Sequence, residues 1–104
     1  MNDSRLHLTK TAIADVIEQA DWYEMQASPA LTHKWEAAVA AALLRILDNP
    51  QHGAPCNFQS AELIGVRRAT IPGFLKHLVF YQIQQDRLVI LRVIHGARDL
   101  ENLF

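Results

Sequence analysis

Apolar residues recur along this chain with different spacings, and each change of spacing marks a change of element. Leu6 and Leu8 alternate with polar neighbours between Arg5 and Leu8, which fits a short opening strand. From about Thr11 the period lengthens. Ile13, Val16, Ile17, Ala20 and Tyr23 fall three or four apart while Asp15, Glu18 and Asp21 take the other side, the pattern of an amphipathic helix. Ser28 and Pro29 then read as an N-cap and a first helical position, because proline has no N–H to waste there and its φ is already set. A second helix follows through Leu31, Trp35, Ala38, Val39, Ala42, Leu43, Ile46 and Leu47, until Asn49 and Pro50 break it. Its alanines favour close approach to a neighbour, so the two helices are expected to pack as an antiparallel hairpin.

Gln51 to Ser60 holds Gly53 and Pro55 and keeps no period, and it reads as a connecting loop. Beyond it come three β-prone runs. Val66 to Ile71 is followed by a bend at Pro72 and Gly73, and Lys76 to Gln84 and Arg87 to Ile94 flank a turn at Gln85 and Asp86. The predicted class is α+β, in the order strand, helix, helix, strand, strand, strand (βααβββ), with the helices packed on one face of a mainly antiparallel three-stranded meander. No repeat, low-complexity tract or linker divides the chain, so residues 1–104 are expected to form one domain.

Composition narrows the function classes. Half of the chain is apolar, enough for one core. Its longest apolar stretch, Ala37 to Leu44, falls well short of the roughly 20 residues that span a bilayer. The first ten residues have neither the apolar run nor the cleavage site of an export signal, so a cytoplasmic protein with no membrane contact is expected. Cys56 is the single cysteine, too few for a disulfide or a structural zinc site. Charge divides unevenly, with four basic and seven acidic residues up to Ala61, then six basic and four acidic from Glu62 onward. That balance disfavours general DNA binding, which needs a strong positive excess.

Phosphate-binding glycine loops, paired-cysteine spacings and a GxSxG elbow are all missing, so neither a cofactor nor a metal is expected. What the later half offers is Arg67, Arg68, Lys76, His77, Tyr81, Arg92, His95 and Arg98. Metal-free RNA cleavage needs a base for the 2′-hydroxyl, an acid for the leaving oxygen and cations over the phosphate, and the His, Tyr, Arg and Lys residues of this set supply those types. The strand period of two sends Arg67 and Arg68 to opposite faces, and likewise Lys76 and His77, so at most about half of the set shares one surface. The plainer reading leaves the cations solvated, packs Tyr81 beside Phe80 and ends a strand at His95. Arg92 stands inside the apolar run Leu88 to Ile94, so it requires an ion pair, solvent or a partner. His7, His33 and His52 are scattered and read as surface groups. Trp35 reads as core and Trp22 as either core or a stacking platform. Leu100, Leu103 and Phe104 form an apolar tail that either tucks under the sheet or meets another chain.

Several short stretches, taken in order, resemble the ParE/RelE superfamily of toxins from type II toxin–antitoxin systems. They are Ala20-Asp21-Trp22-Tyr23, Asn49-Pro50-Gln51-His52-Gly53, Gly65-Val66-Arg67-Arg68, Val79-Phe80-Tyr81-Gln82-Ile83 and Ile90-Leu91-Arg92-Val93-Ile94-His95-Gly96-Ala97-Arg98-Asp99. The resemblance implies a partner, an antitoxin encoded alongside whose C-terminal segment wraps the toxin, with operator DNA reached only indirectly through that antitoxin. It implies one of two activities. ParE-like members bind DNA gyrase and stall it on cleaved DNA; RelE-like members cut mRNA, usually on the ribosome. The ending Ile94 to Asp99 looks more like the ParE branch, which points to a binding toxin rather than an enzyme, with Arg67, Arg68, Arg92, His95 and Arg98 as candidate target contacts. The alternative is a RelE-like ribonuclease built on Arg67, Lys76, Tyr81, Arg92 and His95.

Overall fold

The computed structural model describes residues 5–96 and residue 104. Strand β1 (Leu6–Leu8) leads into helices α1 (Lys10–Gln26) and α2 (Pro29–Asp48); β2 (Ala54–Pro55), a 3-10 turn (Ala61–Leu63), β3 (Arg67–Thr70), β4 (His77–Gln84) and β5 (Arg87–His95) follow. The five strands form one sheet in the order β1-β5-β4-β3-β2, in which β1 runs parallel to β5 and every other pair is antiparallel. The expected α+β arrangement is therefore present, with the expected opening strand β1 on one edge of the sheet and, on the other, an added two-residue β2 that lies within the predicted loop.

Local sequence signals act where expected. Ser28 caps α2 by accepting from the Leu31 N–H at 3.2 Å, with Pro29 at the first helical position. Gln85 and Asp86 take φ of 50° and 65°, the left-handed pair that a two-residue hairpin needs to match the strand twist. The helices run antiparallel, since the Thr32 hydroxyl donates to Ala20 O at 3.1 Å and Trp35 Nε1 to Val16 O at 3.1 Å. Trp35 is fully buried between the hairpin and the sheet. Removing a ring of this size from a core costs about 3–5 kcal/mol.

The inward face of α1 differs from the one its periodicity predicts. Ala12 and Ala20 are buried, with Val16 and Tyr23 partly so, whereas Ile13 and Ile17 are exposed and Asp15 turns toward the sheet. The reason lies in the short β1. Past Leu8, β5 has no strand neighbour on that side, and its backbone groups need other partners. Thr9 N–H donates to Ile90 O at 3.1 Å and the Thr9 hydroxyl to Leu91 O at 3.0 Å, while the same hydroxyl caps α1 by accepting from Ala12 N–H. The Asp15 carboxylate accepts from Val93 N–H at 3.0 Å. Helix orientation is thus set by the strand's edge as well as by hydrophobicity.

A bulge between β4 and β5 fixes which residues face the helices. Phe80 pairs with Arg92 and Tyr81 with Ile90, leaving Leu91 as the extra residue. Leu88, Ile90 and Val93 consequently join the helix-side core, along with Val79 and Tyr81. Phe80 belongs to a second cluster on the opposite face with Leu63 and Val66, lined by Phe58, Leu78, Leu91 and Ile94. Tyr81 and Phe80 therefore point to opposite faces and do not pack side by side. Of the apolar tail, Phe104 lies on this second face, its ring 5.5 Å from Phe58 and 5.4 Å from Phe80; Leu100 and Leu103 lie outside the described residues.

Candidate functional site

The candidate residues separate into three places. At the β2 end of the sheet, the buried Tyr81 hydroxyl donates to Pro50 O at 2.8 Å and accepts from Gly53 N–H at 2.8 Å. Arg67, opposite Tyr81 in register, donates to Gly53 O at 2.7 Å. These bonds tie the loop after α2 to the sheet. Burial pushes the Tyr81 phenol pKa up, against the hydrogen bond from Gly53 and the charge of Arg67, so it stays protonated at neutral pH. Gly53 is required here because a Cβ would stand 2.5 Å from that hydroxyl and 2.7 Å from Arg68 O. Arg68 is exposed on the other face, near Cys56, whose thiol pKa burial raises while Arg68 pulls it down.

Arg92 sits at the β5 edge and is held by Asp15 in two parallel bonds, Nε to Oδ2 at 2.8 Å and Nη2 to Oδ1 at 2.9 Å. The side chains are 20% and 9% exposed, so this pair is largely withdrawn from water. The hydrogen bonds that Arg92 donates to Asp15 raise the guanidinium pKa further, against its partial burial, and the charges of Asp15 and Glu18 add to them. A structural ion pair accounts for this cation. Asp15 gave no sign of the role in the sequence, where it read as one acid on a polar stripe.

The third place is a surface groove of about 720 Å³ between the C-terminal half of α1 and the ends of β4 and β5. Lys76, His77 and His95 line it together. His77 and His95 are opposite each other in register, with ring centroids 5.4 Å apart and nearly perpendicular. His77 is only 7% exposed and also lies against Trp35 at 4.8 Å, and its Nε2 has no hydrogen-bond partner among the described residues. Burial first and His95 second lower the His77 pKa, so its ring is neutral at pH 7. His95 is exposed, with Nδ1 3.0 Å from Gly96 O. Aromatic walls come from Trp22, Tyr23 and Phe74, with Leu75 beside them. Trp22 is 56% exposed, which places it on the surface and not in the core. Phe74 and Leu75 escaped the sequence reading. Phe74 is half-buried against the core, whereas Leu75 directly after it is 69% exposed.

Tyr81 and His77 are four residues apart on β4, roughly 13 Å along the strand. The structure thus groups Lys76 with His95 and Arg67 with Tyr81 at opposite ends of the sheet, with Arg92 at its edge. Arg98 lies outside the described residues. His7, His33 and His52 are exposed on separate elements, and among the described residues no three His, Cys, Asp or Glu side chains are placed to hold a metal ion. Nor is any described helix long and apolar enough to cross a membrane.

A helical hairpin over one face of a small, mainly antiparallel sheet, with an open aromatic groove at its rim, defines an α+β protein. The family model for the ParE toxin of the type II toxin–antitoxin system, parDE, matches residues 6–100, and this chain belongs to that family. Among solved structures, one of the chromosomal ParDE TA system from P. aeruginosa superposes with a TM-score of 0.73 at 20% identity, covering 88% of this chain and 95% of that one. The YoeB–YefM complex from Staphylococcus aureus gives a TM-score of 0.48 at 15% identity, covering 92% and 100%. No curated protein matches the chain. The ParE branch expected from the ending Ile94 to Asp99 is the one that the family match selects.

Proposed function

We propose that this toxin-family protein acts by binding DNA gyrase and is silenced by an antitoxin encoded beside it. The observation that carries the reading is the dispersal of the groups that RNA cleavage would need. The Tyr81 hydroxyl is engaged by Pro50 and Gly53, Arg67 by Gly53, and Arg92 by Asp15, while Lys76 and His95 stand at the far end of β4 and β5. Acid, base and phosphate-binding cations must converge within hydrogen-bonding reach of one phosphodiester, and these do not. Of the candidate target contacts, Arg68 and His95 are exposed and available to a partner, whereas Arg67 and Arg92 serve the fold.

The antitoxin reading is supported by the family to which the chain belongs and by the kind of system that the P. aeruginosa relative represents. Purified protein added to gyrase is expected to lower supercoiling and accumulate cleaved DNA, with activity restored by the antitoxin. Unaffected gyrase, together with new message ends by primer extension on translating ribosomes, would overturn the gyrase reading in favour of ribosome-dependent mRNA cleavage.

A further inference from the structure

At the other end of β4 from the aromatic groove, a recess of about 280 Å³ opens between the loop after α2 and the turn before β3. Three of the stretches that carry the family resemblance meet there, Asn49 to Gly53, Gly65 to Arg68 and Val79 to Ile83. Both walls are pinned to the sheet. Tyr81 and Arg67 hold the first through Pro50 and Gly53. The Gln82 side-chain amide holds the second, donating to Glu62 O at 3.2 Å and to Ile64 O at 2.7 Å. Gly65 turns the chain there with a φ of 82°, a conformation that other residues enter at a cost. What this framework holds out into water is apolar. Ile64 is 69% and Ile83 49% exposed, on walls of the same recess, and neither belongs to a core cluster of the described residues.

Exposed apolar residues scattered singly are ordinary, but two on one recess framed by hydrogen-bonded loops can anchor a partner with little further ordering of this chain. Of the described residues lining the recess, Arg67 and Tyr81 are ionisable and none is an acid, since Glu62 lines a neighbouring recess instead. Tyr81 stays protonated, so the local charge is that of Arg67. One fixed cation complements a carboxylate beside an apolar side chain, whereas gripping a DNA backbone takes several. A surface built from the stretches that carry the family resemblance also suits the target that ParE-like members share better than an antitoxin encoded with each toxin. We infer that this recess is where the chain grips gyrase, and that it seats an apolar side chain of the gyrase protein, with a carboxylate beside it against Arg67, and not the cleaved DNA. The inference rests on the gyrase reading above, and it adds the place of the contact and the component that makes it.

Inhibition of supercoiling by the full chain, and its binding to DNA-free gyrase measured by titration calorimetry, test it. Ile64→Ser and Ile83→Thr strip the exposed apolar groups, the second keeping the β-branch that a strand favours, and thermal melts show whether each variant is folded. Ile17→Ser and Leu75→Ser take exposed apolar surface from elsewhere on the chain as controls. Each recess variant is expected to raise the half-inhibitory concentration and the Kd for gyrase at least about tenfold, as loss of an interface anchor does. The controls should stay within about twofold, and so should the affinity of both recess variants for the antitoxin. If the wild-type chain leaves gyrase unaffected, the gyrase reading itself fails and takes this inference with it. If the wild-type chain inhibits and the folded recess variants inhibit equally well, the gyrase reading stands and the recess inference is overturned. Recess variants that keep inhibition but lose antitoxin binding would also overturn it, by assigning the surface to the antitoxin. So would gyrase binding that needs DNA and falls steeply with salt, which would assign the contact to phosphates.

Discussion

Replacing Asp15 with alanine removes three bonds at once: two charge-assisted bonds to Arg92, and the acceptor for Val93 N–H at the uncovered edge of β5. An exposed ion pair of this kind contributes about 0–1 kcal/mol, whereas breaking a buried one by deleting a partner costs about 3–5 kcal/mol. With side chains 9% and 20% exposed, the Asp15–Arg92 pair lies nearer the buried case. The guanidinium retains some water and the field of Glu18, which softens the loss. Together with an orphaned backbone donor, at about 1–3 kcal/mol, the expected cost of Asp15→Ala is roughly 3 kcal/mol. For a chain of this size that lowers the melting temperature by about 12–24 °C.

Arg92→Met should cost less, about 2 kcal/mol, because the carboxylate keeps its bond to Val93 N–H. The double variant should lose about 1–2 kcal/mol less than the sum of the singles, the signature of direct coupling. Urea unfolding followed by circular dichroism gives all four values, with an unchanged m-value showing that only stability has moved. An Asp15→Ala cost below about 0.5 kcal/mol, with strict additivity in the double variant, would refute the argument that α1 is oriented by this pair.

Tyr81→Phe deletes the hydroxyl that bridges Pro50 and Gly53 and should destabilise the protein by about 1–3 kcal/mol, read by the same urea titration, because Gly53 N–H is left buried without an acceptor. A stability profile against pH should expose His77. Its pKa in the folded state is lower than in the unfolded chain, so the unfolded chain binds the proton first. The corresponding stability is complete above about pH 6.5, the unfolded value, and is lost as the pH falls through the lower folded one. His77→Phe should flatten that acid-side slope, and an unchanged slope would assign it elsewhere.

Much of the architecture was readable from the order of residues because it rests on local chemistry. Ser28 with Pro29, Asn49 with Pro50, Pro72 with Gly73, and the Gln85–Asp86 turn each act within a few residues, and each starts or stops an element where the pattern places it. The family was legible for a related reason, since its short stretches keep their order over most of the chain. What the tertiary structure decided were the relations across long separations. Asp15 and Arg92 are 77 residues apart, and nothing in either neighbourhood names the other. The bulge at Leu91 changes which β5 residues face the helices, an outcome of pairing and not of composition. The candidate site follows the same rule. Lys76, His77 and His95 share a groove with Trp22 only because β4, β5 and α1 end side by side, while Tyr81, as attractive a candidate by type, is buried as a hydrogen-bonded support. Periodicity states which side of an element is apolar. Only packing determines which groups of different elements meet, because that depends on strand register and on where each strand's edge is left without a neighbour.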